Sequence, residues 1–394
     1  MRGWSAIAII LFIAYVLCCN ENTYAQKRMP IMASHTIRAG HNTLENYKNI
    51  EEAGFTLAKE YYPSVDEAIE HLKTASKTKV KLIVECPEFS NDLENSVMRL
   101  NKYRSFGGYD ISDEPGAESF NELGKKVEKI RRLDDKHIIW LNLFPIYAQL
   151  NRLQTDSYNN YVDQYIDLVK PPFVSFDCYA IRKKGLDTDF YRNLELISDK
   201  CKKTGLRFWT YVLASQFSDF VEPTKGSISF QAYCNLAYGA QGIEYFSYRR
   251  IIQTGLNITI SPVDTNYKKM PIYDSVKQLN NEILYYSRFF CDNNVVDVTH
   301  LGSNTPEGTS KTTELPNQIK VLEYGEKGFV VSHFMKKNHD YLMFVNKDYN
   351  NKQMLKVYSP KRIKRLSYYV NERKSGSGEL FFTVQPGSMV LLRL

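Results

Sequence analysis

Two acids stand side by side in the run YDISDEPGAESF (109–120): Asp113 and Glu114, directly before Pro115. Carboxylates at the end of an apolar-leaning strand are costly to bury and contribute nothing to a core. Further acids recur in comparable places. Glu60 closes LAKE, Glu85 and Glu88 end VKLIVECPE, Asp177 sits in VSFDCYAI, and Glu244 lies in GIEYFSY. Amides and aromatics accompany them, among them Asn142, Gln216, Trp140, Tyr179, Trp209, Tyr211 and Tyr248, and Arg38 with His41 follows the first apolar run. Paired carboxylates suit a reaction in which one group gives a proton and a second attacks or activates water, as cleavage of a glycosidic bond requires. Zinc chemistry is not expected, because histidines are few and HExxH is absent. A serine triad would want a GxSxG turn, and PLP a strand-end lysine with a phosphate cup; neither is evident. The reading calls for no metal and no cofactor.

Elements that bring these residues together follow from the alternation of short apolar runs with amphipathic stretches. Strands are expected at 30–36, 55–62, 80–88, 106–115, 137–145, 172–181, 206–214 and 242–248, with a helix after each. Ser64 opens one helix as a cap, and Gly54 closes another. Eight strand–helix units over about 260 residues give the period and length of a (β/α)8 TIM barrel, placed at 26–290. An open doubly wound sheet would carry a glycine-rich phosphate turn after its first strand, and SHTIRAGHN is not one.

Past Cys291 the pattern changes. Residues 302–317 are polar and rich in Ser, Thr, Gly and Pro, and read as a linker. Strands then recur without helices, from IKVLEYG through LSYYVNE to SMVLLRL, so 291–394 is expected to form an antiparallel β-sandwich. Ahead of the barrel, Arg2 and the apolar run 5–17 with a small residue at Ala25 read as a signal peptide over 1–25, which implies export to the periplasm or beyond. Cys18 or Cys19 would tie the protein to a membrane if lipidated. The net charge of +7 is dispersed rather than striped, which argues against a nucleic-acid partner. Tyr, Phe and Trp make up 13% of the chain, and such rings suit sugar faces as well as cores.

In such a barrel the site lies at the C-terminal strand ends. Simple alternation then sends Glu114 into the pocket and Asp113 to its support, with Pro115 fixing the exit of the chain. The runs GGYDISDEPGAESFNEL and AYGAQGIEYFSY, with the C-terminal DYLMFVNKDYNNKQ and PGSMVLLRL, resemble bacterial TIM-barrel glycoside hydrolases of the beta-galactosidase-like kind. The resemblance implies that Glu114 holds the acid/base position and that a carbohydrate is the substrate. It also implies a nucleophilic Glu at the end of strand seven, yet RFWTYVLASQF offers none before Asp219. Glu244 and Asp177 are the expected substitutes. Arg38, Asp113, Asn142, Tyr179, Trp209 and Tyr248 are expected to bind substrate. Two other readings stand: a carbohydrate-binding barrel without turnover, and a polysaccharide lyase using Arg38 and a tyrosine.

Overall fold

The computed structural model describes residues 28–394 apart from 188, 254, 293, 303, 304, 306–308, 310–314 and 337. The expected signal peptide, with Cys18 and Cys19, and most of the expected linker lie outside the described residues. Eight parallel strands form a closed barrel: β1 (Ile31–Ser34), β2 (Leu57–Tyr61), β3 (Lys81–Glu85), β4 (Phe106–Asp113), β5 (Ile138–Leu143), β6 (Val174–Phe176), β7 (Phe208–Leu213) and β8 (Gly242–Phe246). Each strand pairs with the next in sequence, and β8 closes on β1. The outer helices are α1 (Leu44–Glu52), α2 (Val65–Ala75), α3 (Leu93–Leu100), α4 (Phe120–Leu133), α5 (Tyr158–Gln164), α6 (Asp189–Thr204), α7 (Lys225–Ala237) and α8 (Ile272–Asp292).

Local chemistry explains where several helices start. Thr43, Ser64 and Ser157 each accept a backbone N–H of the first turn of α1, α2 and α5, and Thr224 forms a capping box with Ser227 at α7. Helix α7 differs from the others in that every residue from Ser227 to Ala237 is buried. It has no solvent face because the C-terminal sheet covers it.

That sheet contains β9 (Asn294–His300), β10 (Lys320–Tyr324), β11 (Phe329–Lys336), β12 (His339–Asn346), β13 (Gln353–Leu366), β14 (Ser375–Val384) and β15 (Met389–Arg393). Its order is β9-β11-β12-β15-β13-β10, with β14 also on β13. The long β13 pairs with β10 along its first half and with β14 from Gln353 to Lys364, and reaches β15 at Lys364–Leu366, which makes the unit sandwich-like. One face encloses Phe329, Val331, Leu342, Phe344, Leu355 and Leu392. The other, with Val330, Phe334, Met343 and Leu391, joins the barrel's own core, and Ser332 Oγ donates to the Ala237 carbonyl at 2.6 Å. Two sequence expectations are corrected here. LSYYVNE does not form its own strand, because β13 runs through to Leu366 and Val370–Glu372 is a short 3-10 turn. Residues 294–300, assigned to no strand from sequence, form β9.

The barrel interior is packed by Met32, Leu57, Ile83, Trp140, Trp209, Tyr211 and Leu213. Gly242 leaves the room that Trp209 occupies: a β-carbon there would lie 2.4 Å from the indole. Higher along the axis, Lys59 Nζ donates to Asp110 Oδ2 at 2.9 Å and lies 3.9 Å from the Trp140 ring centroid, a cation–π contact. Burial pulls the Lys59 ammonium down, but Asp110, with Asp113 and Glu85 adding, holds it above its ordinary range.

Gly242→Ala is expected to cost about 1–3 kcal/mol by overpacking, read as a lower denaturant midpoint. Lys59→Met strands Asp110 as a buried, unpaired acid and is expected to cost about 3–5 kcal/mol at pH 8. In that variant the folded-state pKa of Asp110 lies above its unfolded value, so the loss must shrink as pH falls and Asp110 takes a proton. Urea unfolding at pH 5 and pH 8 checks the sign; a loss that grows on acidification contradicts it.

Candidate active site

The strand ends meeting at the barrel mouth converge three carboxylates: Asp113 at the end of β4, Glu114 one residue beyond, and Asp177 just after β6. Asn142 on β5, between those strands, joins two of them. Its Nδ2 donates to Asp113 Oδ1 at 3.1 Å and to Asp177 Oδ1 at 2.9 Å. Two oxygens sharing one nitrogen at those lengths lie no more than about 6 Å apart. The strand register brings this about, since Asn142 sits opposite Asp113 on one side and Ser175 on the other.

Glu114 is held differently. Its N–H donates to the Asn142 carbonyl at 2.9 Å, and its φ of 48° is left-handed, uncommon for a residue with a side chain. Arg152, from the short helical turn Leu150–Leu153 after β5, donates Nη2 to Glu114 Oε2 at 3.0 Å, and its guanidinium lies 4.4 Å from the Phe144 ring centroid. The expected alternation of Glu114 inward and Asp113 outward does not hold. Register with β5 shifts between Asp110 and Ser112, and the left-handed turn at Glu114 ends the two-residue period. Both acids therefore reach the mouth, and Asp113 takes the Asn142 amide.

Charge crowding sets the protonation of this cluster. Burial raises the Asp177 carboxyl well above the usual range, and the Glu114 and Asp113 charges raise it further against the opposing Asn142 hydrogen bond. Glu114 is also raised, by burial and then by Asp113, while Arg152 opposes. Like charges this close do not all ionise together. Among the described residues Asp177 has no ion-pair partner, whereas Glu114 has Arg152, so the retained proton belongs on Asp177.

The remaining expected residues divide between mouth and interior. Tyr179 lies near the mouth, edge-on to Phe220 at 5.5 Å between centroids. Arg38 is exposed on the loop after β1, with Nη2 3.2 Å from His41 Nε2. Trp209 stacks on Phe173 at 4.1 Å; it begins β7 rather than ending it, so it closes the floor and does not face a ligand at the mouth. Tyr248 is 1% exposed and packs outward, 5.8 Å from Phe55, among residues under the helices. Glu244 is 0% exposed, with one oxygen 2.6 Å from Trp140 Nε1 and the other 2.6 Å from Ser175 Oγ. Mid-strand placement keeps it one layer below the cluster, out of contact with anything bound there.

Sequence reasoning passed over Lys59, Arg152, Ser175, Arg182 and His35. Arg182 pairs with Asp187 at 2.9 Å and Asp219 at 2.8 Å, tying the loop after β6 to the loop after β7. His35 follows β1 directly; burial, then Lys59 and Arg249, push its pKa down to about 3, so the imidazole is neutral. Its position at a strand end was a usable signal. Arg152 had none, because a cation 38 positions from Glu114 is marked only by the fold.

No protein-family model and no curated protein matches the chain. Solved structures do, at low identity. A beta-galactosidase from Bacillus circulans sp. alkalophilus superposes with a TM-score of 0.62 at 8% identity, over 93% of this chain and 99% of that one. A family 39 glycoside hydrolase from Bacteroides cellulosilyticus WH2 gives 0.55 at 9% identity, over 92% and 81%. An alpha-L-arabinofuranosidase from Thermotoga maritima gives 0.51 at 9%, over 94% and 96%. The likeness runs through barrel and C-terminal sheet alike, and the chain has the fold of the TIM-barrel glycoside hydrolases.

Proposed function

We propose that the protein is a glycoside hydrolase that cleaves a neutral oligo- or polysaccharide by carboxylate acid/base catalysis, and that it works outside the cytoplasm. The observation that carries this reading is the bridging of Asp113 and Asp177 by one Asn142 nitrogen, beside a third acid, Glu114, with its own cation. Two environments that push carboxyl groups apart in proton affinity supply an acid and a base from one residue type. Asp177 keeps the proton at rest and delivers it to the leaving oxygen. Glu114, kept charged by Arg152, attacks the anomeric carbon or takes a proton from the attacking water. This reverses the role expected for Glu114 from sequence, because its guanidinium partner favours the ionised form.

The charge inventory supports a neutral glycan. Lys59, Arg152, Arg182 and Arg249 each already face a carboxylate, and Arg38 rests on His41. Four of these five cations could take a uronate only by giving up a carboxylate, which also weighs against a lyase. One observation favours a second reading, binding without turnover: the end of β7 reads Leu213, Ala214, Ser215 and Gln216, with no acid.

The test is a screen of neutral glycans and aryl glycosides against wild type, Asp177→Asn and Glu114→Gln. Loss of the acid is expected to cost about 10²–10⁴ in kcat on natural glycans, but little on aryl glycosides whose leaving group needs no proton. Glu114→Gln is expected to abolish turnover of both. Near-normal turnover by Glu114→Gln would sink the assignment, and glycan binding by a wild type that turns over nothing would select the binding reading.

A further inference from the structure

Below the carboxylate cluster runs a buried chain of four hydrogen-bonded side chains. Asn142 Oδ1 lies 2.9 Å from Ser175 Oγ, Ser175 Oγ lies 2.6 Å from Glu244 Oε2, and Glu244 Oε1 accepts from Trp140 Nε1 at 2.6 Å. All four residues are buried, so water does not complete the hydrogen bonding. The amide orientation of Asn142 is fixed from above, since turning it over would set Oδ1 against the Asp113 carboxylate, even with a proton on Asp177. Its Oδ1 then needs a donor, and Ser175 is the donor in reach. A serine hydroxyl has a single hydrogen. Once that hydrogen goes to Asn142, an ionised Glu244 would leave two oxygens at 2.6 Å with nothing between them.

We propose that Glu244 carries a proton on Oε2 and acts as a positioning residue: its O–H donates to Ser175, Ser175 donates to Asn142, and Asn142 is thereby held with its nitrogen toward Asp113 and Asp177. The groups around Glu244 are consistent with a neutral acid. Lys59 faces it from β2, Asp113 from β4, Trp140 from β5, Ser175 from β6 and Tyr211 from β7, while its neighbour on β1 is the apolar Met32. The one cation, Lys59, is already paired with Asp110. Burial lifts the Glu244 pKa to about 7, although Ser175, Trp140 and Lys59 pull it down.

A consequence follows for pH. When Glu244 loses its proton to solvent, Ser175 must turn its hydrogen to the carboxylate, and Asn142 Oδ1 loses its donor. The site then has an alkaline limit set one layer below it. The link to turnover rests on the proposed hydrolytic function, but the proton on Glu244 does not.

Glu244→Gln separates the two. Its amide nitrogen donates to Ser175 as the carboxylic O–H does, its oxygen accepts from Trp140, and it cannot ionise. Trp140 fluorescence, with Trp209 common to both proteins, is followed from about pH 5 to about pH 9. Wild type is expected to show a transition centred at about 7, absent from a Glu244→Gln protein that unfolds at an unchanged temperature at the acid end. A transition that persists in Glu244→Gln, or a Glu244→Gln protein that fails to fold, overturns the proposal. Where a hydrolysed glycan is in hand, Glu244→Gln should keep kcat and lose the alkaline limb. Ser175→Ala should lower kcat about tenfold to a hundredfold through misplacement of the acids; full activity in Ser175→Ala would overturn the positioning role. Absence of any hydrolysis would refute the proposed function and leave the fluorescence result to decide Glu244.

Discussion

A single amide nitrogen holds two acids together at the mouth of this barrel, and the arrangement around it follows from that demand. Asp113 and Asp177 come from strands separated by β5, and the lone pairs of their facing oxygens repel. Asn142 offsets the repulsion with two N–H bonds to oxygens that need donors, the sort of charge-assisted contact stronger than a neutral pair. To do so it must be prevented from turning, which requires Ser175 and, beneath it, a buried acid. Lys59 and Asp110 place compensating charges on the same axis. The polar interior is therefore a continuous structure through the upper barrel rather than a set of separate pairs, and a change at any member is felt by the others.

Much of the frame was legible from local pattern. Each of the eight expected strands contains an observed one, because parallel strands covered on both faces read as short apolar runs and the helices between them as amphipathic stretches. Asp113, Glu114, Asn142 and Asp177 could be listed because the barrel puts every strand's C-terminal end at one mouth. Depth within the barrel was not legible. Trp209 and Glu244 lie on strands of the right kind, but position along the strand assigns one to the floor and the other to the middle. Tyr248 follows β8 yet turns outward, and the outer layer it joins is invisible in a run of seven letters. The register shift before Ser112 likewise has no mark in YDISDEP, and it is what undid the alternation argument at Asp113 and Glu114.

The C-terminal sheet supplies none of the residues named at the carboxylate cluster. It lies on the helix behind β7, where Gly226 allows the Tyr349 carbonyl and Pro386 to approach too closely for a side chain. Strand β7 supplies interior packing in the form of Trp209 and Tyr211 rather than an acid at the mouth. Its contribution to the site is thus steric, and the carboxylates come from β4 and from β6, the strand beside it.

The full burial of α7 has a consequence for how the chain is made. A helix whose every side from Ser227 to Ala237 is covered cannot finish packing on the barrel alone, because one side of it belongs to residues more than ninety positions later, such as Ser332. During synthesis the last quarter of the barrel therefore emerges with an apolar helix uncovered, and it stays so until the final strands leave the ribosome. The boundary near residue 290 separates two architectures in sequence, while one core runs across it through α7.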